Sequence, residues 1–191
     1  MTASFILQNA ALGVGLAMDA FAVSLANGLS EPRMKAGRMS GIAGVFGGFQ
    51  FLMPMIGWLC VHTLLSLFDT LTRFVPYAAL ALLSYIGIHM ILDGVHSGSE
   101  EERKGPGFGA LLIQGVATSI DALSVGFTLA ELNTASALYG ALIIGAVTFV
   151  ICLIGLAVGK RFGTLLAGKA QILGGVILIG IGIKILLESL L

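Results

Sequence analysis

Charge is scarce in this chain. Asp, Glu, Lys and Arg make up only 10% of its 191 residues, against about 25% in an average soluble domain, so water is not its main solvent. Ten basic and ten acidic residues cancel, which removes the positive field that would attract nucleic acid. Cysteine is nearly absent: Cys60 and Cys152 each lie inside an apolar run and read as small buried side chains rather than a disulfide or a metal site. There is no GxxxxGK[ST] segment and no polar stretch long enough to fold as a soluble catalytic domain, which leaves nucleotide hydrolysis without a seat. Ser, His and Asp occur, but in no nucleophile–base constellation, so no catalytic residue is expected. No cleavable signal is expected either: the first apolar run is too long for a signal h-region and has no basic flank before it.

Apolar length is abundant instead. The chain is 57% hydrophobic with 27 glycines and a mean hydropathy of +1.02, the profile of a polytopic membrane protein. Crossing the hydrocarbon core takes about 20 mostly apolar residues. Six stretches qualify: 5–29, 41–66, 74–95, 108–130, 135–159 and 170–190. The expected fold is therefore an all-α integral membrane protein of six transmembrane helices. Arg33, Lys35 and Arg38, then Arg103 and Lys104, then Lys160, Arg161 and Lys169 fall in alternate connections, on one side of the membrane. The other side has Arg73, with Lys184 inside the last span. The bias of Lys and Arg toward the cytoplasm places both termini outside.

The two halves align helix by helix. "GVGLAMDAFAV" (13–23) lies over "GVATSIDALSV" (115–125), "FLMPMIG" (51–57) over "FVICLIG" (149–155), and "IGIHMILD" (86–93) over "IGIKILLE" (181–188). In the last pair His89 and Asp93 correspond to Lys184 and Glu188, both i,i+4 pairs that suit near-interfacial ion pairing. Each half holds three spans, so the second must enter the membrane from the opposite side. The organisation expected is a first three-helix repeat (1–95), a polar cytoplasmic linker (96–107) and a second, inverted repeat (108–191). Inverted repeats are a recurrent transporter plan, with the substrate site near the midplane.

Asp19 and Asp121 each fall about two residues past the middle of their spans, so each lies about 3 Å from the midplane, on opposite sides of it. An intramembrane Asp costs at least about 2.5–3.5 kcal/mol on insertion scales and marks function by default. On span 4, Gln114, Thr118, Asp121, Ser124 and Thr128 recur on one helical face, and every member offers oxygen. Asn27 follows Asp19 on span 1, Gln50 lies on span 2, and Thr148 occupies the repeat position of Gln50 on span 5. Pro54 should free a backbone carbonyl near Gln50. Carboxylates with amide and hydroxyl oxygens suit a hard divalent cation such as Mg²⁺, Ca²⁺ or Mn²⁺. The candidate ligands are Asp19, Asp121, Gln50, Asn27, Thr118, Ser124 and Thr148. His62, His89 and His96 fall toward span ends, which disfavours a nitrogen-seeking ion.

The motifs "MDAFAVS", "ATSIDALSVG", "GGFQFLMPMIGW" and "ILGGVILIGIGI" resemble the bacterial manganese efflux pumps of the MntP/YebN type, six-span inner-membrane exporters related to the lysine-exporter superfamily. The resemblance covers essentially the whole chain. It implies Mn²⁺ export across the inner membrane, Mn²⁺ as cargo with no cofactor, and intramembrane aspartates matching Asp19 and Asp121. Where that family usually carries Glu, this chain has Gln50, and commonly also Gln171; glutamine keeps an oxygen ligand and loses a charge and a proton acceptor.

Exporting a divalent cation against an inside-negative potential costs about 4.6 kcal/mol per 100 mV. With no nucleotide site, an ion gradient must supply the work, and metal/proton antiport through the two aspartates is expected. Partners are then the metal, protons and membrane lipid, with homo-oligomerisation left open. The rival readings are export of another divalent metal, export of a small amino acid, which would need a cationic group for a carboxylate, and a non-transporting membrane scaffold.

Overall fold

A computed structural model describes residues 3–63, 77, 80–81, 83–89, 91–92, 95, 105–130, 132–166 and 170–190. The chain runs through α1 (Ala3–Ser30) and α2 (Ala36–Thr63), then α3 (residues 83–89, with further helical residues between 77 and 95). It continues with α4 (Phe108–Ala117), α5 (Ile120–Leu129), α6 (Thr134–Leu166) and α7 (Ala170–Leu190). Among the described residues there is no strand. Arg73, Asp93, His96, Arg103, Lys104 and Lys169, together with the side chains of His62, Gln171 and Glu188, lie outside the description.

The distribution of side chains is that of a protein in lipid. Leu7, Met18, Leu52, Leu59, Val150 and Ile154 point outward, while Asn27, Gln50, Gln114 and Thr148 are fully buried. In a bilayer polar groups must find partners inside the bundle. α1, α2 and α6 are each long and apolar enough to cross a membrane, and α4 with α5, bent at their junction, would make a fourth if the pair crosses as one span. The fold is all-α and multi-pass.

α1 packs most extensively on α6, and α2 on α6 and α5, with α7 against α1. Small residues on α1 make the close packing possible: Ala17, Ala20 and Ala26 are all fully buried. At the α2–α6 crossing the approach is backbone to backbone. A Cβ on Gly47 would lie 2.8 Å from Gly145 O and 3.1 Å from Phe149 Cβ; one on Gly145 would lie 2.8 Å from Gly47 O and 3.0 Å from Phe51 Cβ. These contacts are reciprocal in the register that aligns 51–57 with 149–155. The next crossings repeat the relation. Gly57 lies against Leu123 O and Gly126 Cα on α5, and Gly155 against Phe21 O and Ser24 Cβ on α1, where Phe21 and Ser24 align with Leu123 and Gly126. On α3 and α7 the reciprocal contact puts Gly87 opposite Gly175.

One end of the bundle is tied by polar links. Arg38 Nε lies 2.6 Å from Glu31 Oε2, Arg38 Nη2 donates to Pro106 O at 3.0 Å, and Lys160 Nζ donates to Met34 O at 2.7 Å. The α1–α2 junction, the approach to α4 and the distal part of α6 are thus gathered together, with Arg38 and Lys160 among them.

Candidate functional site

The stretch 108–130, expected as one continuous helix, is broken. α4 and α5 meet at Thr118 and Ser119 with a bend of 49°. The local cause is hydroxyl competition: Thr118 Oγ1 donates to Gln114 O at 2.9 Å and Ser119 Oγ to Gly115 O at 2.7 Å. Bonds of this i−4 kind bend helices. Past the break, Ala122 N–H donates to Asp121 Oδ1 at 2.8 Å, within the first turn of α5. The polar stripe is accordingly split. Gln114 and Thr118 are buried in the bundle, whereas Asp121, Ser124 and Thr128 are exposed.

A cavity of about 840 Å³ explains that exposure in part. Its wall includes Leu12, Gly15 and Leu16 of α1, Asp121 and Thr128 of α5, and Leu132. It extends from Asp121 toward the N-terminal end of α1, away from the Glu31–Arg38–Pro106 links. Asp19 is not part of its wall; its side chain is 14% exposed and pairs with Lys184 of α7, Nζ to Oδ1 at 2.6 Å. The sequence had matched Lys184 with Glu188 on its own helix. The long lysine stem reaches the carboxylate of Asp19 on α1, and the side chain of Glu188 lies outside the described residues. Asp121 lies within electrostatic reach of both Asp19 and Lys184. His89, the repeat counterpart of Lys184 in sequence, packs edge-on against Tyr85.

Gln50 bridges α1 and the α4–α5 break. Its Nε2 donates to Leu16 O at 3.1 Å and to Thr118 O at 3.2 Å. Leu16 and Thr118 are equivalent in the aligned halves, each three residues before its aspartate. Gln50 Oε1 and Thr148 Oγ1 are buried and accept or donate no hydrogen bond among the described atoms. Asn27 belongs to another layer: Nδ2 donates to Gln114 Oε1 at 2.8 Å, and Gln114 Nε2 returns a bond of 3.4 Å to Asn27 Oδ1. Eight residues separate Asn27 from Asp19, about 12 Å of helix rise.

The structure thus brings Asp19, Asp121, Gln50 and Thr118 into one neighbourhood and holds Asn27 with Gln114 a layer away. Sequence reasoning missed Lys184, Leu16 O and Ser119. The lysine left a signal, since an ammonium inside a span needs a counter-charge and Asp19 and Asp121 are the carboxylates near mid-span. Among the described residues no three His, Cys, Asp or Glu gather.

An apolar exterior, a buried polar interior and a carboxylate pair beside a broken helix define a polytopic membrane protein with a charged intramembrane site. Residues 33–186 match the Mntp family, described as "Putative manganese efflux pump". The chain belongs to this family, one of transporters rather than enzymes. It is 40% identical over 184 residues to a protein of Methanosarcina mazei, covering 96% of this chain and 97% of the relative. It is 44% identical over 186 residues to one of Gloeothece citriformis, covering 97% and 96%. A Sorangium cellulosum protein is 43% identical over 188 residues, 94% of each chain. All three bear the name "Putative manganese efflux pump MntP". No solved structure matches the chain.

Proposed function

We propose that this protein exports Mn²⁺ from the cytoplasm across the inner membrane, with Asp19 and Asp121 as its carboxylate ligands and Mn²⁺ as cargo. The observation that carries the reading is the arrangement around Gln50. One amide joins Leu16 O to Thr118 O, equivalent points of two halves, and an aspartate follows each by three residues. The reciprocal glycine crossings support two inverted three-helix repeats that make up six spans. Gln50 Oε1 and Thr148 Oγ1, buried without partners, are hard oxygens of the type Mn²⁺ accepts. Thr118 and Ser124 flank Asp121 and complete the set, and Asn27 with Gln114 forms a polar layer on the way in.

In this reading both termini are outside, and the cavity reaching Asp121 opens outward while the Arg38 and Lys160 links close the cytoplasmic end. Rocking of the halves then moves access from one side to the other. Cytoplasmic Mn²⁺ binds the ionised aspartates, and after the rock protons from outside replace it. Lys184 is a cationic group of the kind amino-acid export would need, but it stands beside Asp19, and two neighbouring carboxylates would repel the carboxylate of such a substrate, which weighs against that alternative.

The test is cell-associated manganese in bacteria lacking their own exporter, challenged with Mn²⁺. The wild-type chain should lower it, and Asp19→Asn and Asp121→Asn should fail at matched membrane levels. Export retained by both variants would overturn the ligand assignment, and a wild-type chain that leaves manganese unchanged would favour another cargo or a non-transporting scaffold. In proteoliposomes, transport indifferent to a proton gradient would remove the antiport step.

A further inference from the structure

Lys184 is an unexpected occupant of this region. It belongs to α7, while the candidate ligands come from α1, α2, α5, α6 and the break between α4 and α5. Its Nζ nonetheless lies 2.6 Å from Asp19 Oδ1. An ammonium held at that distance occupies one of the two oxygens that a cation would use, and it neutralises the charge that would attract one. Its own side chain is 50% exposed while that of Asp19 is 14% exposed, so the lysine, on a flexible four-carbon stem, has room to withdraw and the aspartate does not.

The charges decide what can displace it. Among the described groups, the two carboxylates and the one ammonium sum, without cargo, to a single net negative charge. A divalent ion bound while the ammonium stays would make the site net positive inside a low-dielectric bundle. With the ammonium withdrawn, the same ion makes it neutral. A monovalent ion taking the lysine's place leaves the net charge where it began and must still be dehydrated. Divalent cargo and the ammonium are therefore alternatives, and the exchange favours a divalent ion.

We infer that Lys184 is a tethered counter-cation that alternates with the transported metal at Asp19, compensating the carboxylates when the carrier is empty and discriminating against monovalent ions. This inference rests on the assignment of Asp19 and Asp121 as metal ligands. Lys184 is a positioning and specificity residue here, in contact with a ligand rather than with the metal.

The experiment is equilibrium binding of Mn²⁺ to the purified full-length protein, with K⁺ as competitor, followed by transport in proteoliposomes. Lys184→Met removes the charge and keeps the stem. It should bind Mn²⁺ about tenfold or more tightly than wild type, lower both KM and kcat for transport, and become sensitive to K⁺. Lys184→Arg should retain wild-type affinity and K⁺ insensitivity. Lys184→Gln, which keeps a donor for Asp19 without charge, should follow the Met variant and serves should that variant fold poorly. Unchanged or weaker Mn²⁺ binding in the uncharged variants, or an Arg variant that behaves like them, would overturn the inference. Asp19→Asn and Asp121→Asn run alongside: if both keep wild-type Mn²⁺ affinity, the ligand assignment itself fails; if they lose it while Lys184→Met binds as wild type, the site stands and only the role of Lys184 falls.

Discussion

The side-chain amide of Gln50 donates to the carbonyl oxygen of Thr118 across 3.2 Å, at the point where α4 gives way to α5. Thr118 O is available because Ala122 N–H, which would close the helical ladder on it, turns to Asp121 Oδ1. The same nitrogen of Gln50 reaches Leu16 O, so the glutamine fixes the spacing of the segments that carry both aspartates.

Replacing that donor with an acceptor gives the first prediction. Gln50→Glu would place carboxylate oxygens against two carbonyl oxygens and leave Thr118 O unsatisfied. A buried acceptor without its partner costs about 1–3 kcal/mol. The variant should unfold earlier than wild type in detergent without metal, and added Mn²⁺ should stabilise it more than it stabilises wild type, because the new carboxylate is also a new ligand. Thermal unfolding with and without Mn²⁺ reads both effects. A variant as stable as wild type without metal would mean that the two bonds of Gln50 carry no net weight.

The paired amides of Asn27 and Gln114 make a second case. Both side chains are fully buried and bonded to each other, joining α1 to α4 across 87 residues of sequence. Side-chain hydrogen bonds between membrane helices average about 0.6 kcal/mol and reach about 1.7 in double-mutant cycles. A cycle of Asn27→Ala and Gln114→Ala should give a coupling in the upper part of that range, because neither amide has solvent as an alternative. Coupling indistinguishable from zero would show that the layer is not held by this pair.

How much of this was legible beforehand depends on what kind of information each residue carries. Asp19 and Asp121 stand out because an apolar run makes any carboxylate conspicuous, and their repeat relation is written in neighbouring residues such as the shared Asp-Ala. The all-α class followed from span length alone. The pairing of Lys184 with Asp19 could not be read from spacing, which records only neighbours along one helix, whereas a lysine stem can reach across to another. The break at Thr118–Ser119 was invisible for a different reason. Hydroxyls inside an apolar helix can point to a cavity or fold back on the preceding turn, and the choice depends on the packing of α2 against α5, with Gly57 lying against Leu123 O and Gly126.

That break is itself open to test. Thr118→Val with Ser119→Ala removes both back-bonds with little change of volume, so the helix can regain its regular ladder. Straightening would close Ala122 N–H onto Thr118 O and withdraw it from both Asp121 and Gln50. The expected result is a protein that inserts and folds normally, with unfolding temperature unchanged or raised, but with manganese export lowered severalfold. Full export in the double variant would show that the bend is incidental to transport.

The cavity gives a prediction about access. Leu12 and Thr128 line it, whereas Ala26, further along α1, is fully buried. Cys152 is buried and Cys60 only partly so, and a Cys60→Ala background leaves one native thiol that reagents do not reach. In that background Leu12→Cys and Thr128→Cys should react with a membrane-impermeant thiol reagent added outside intact cells, and Ala26→Cys should not. Labelling only in inside-out vesicles would reverse the proposed topology.

The closed end should respond to the loss of a single side chain. Arg38 bonds both Glu31 and Pro106 O, yet it is 42% exposed, and exposed pairs contribute only about 0–1 kcal/mol. Arg38→Gln should therefore leave overall stability almost unchanged. If the links belong to one state of an alternating carrier, however, up to about 1 kcal/mol is withdrawn from that state alone, which shifts the balance of the two by up to about fivefold. Ala26→Cys, protected in the parent, should then become reactive toward reagent supplied on the cytoplasmic side, with a rate several times higher in the Arg38→Gln background, and excess Mn²⁺ on that side should change the rate again. Unchanged protection alongside unchanged stability would mean that Arg38 decorates the junction without latching it, and closure would then rest on the packing of α1 against α6.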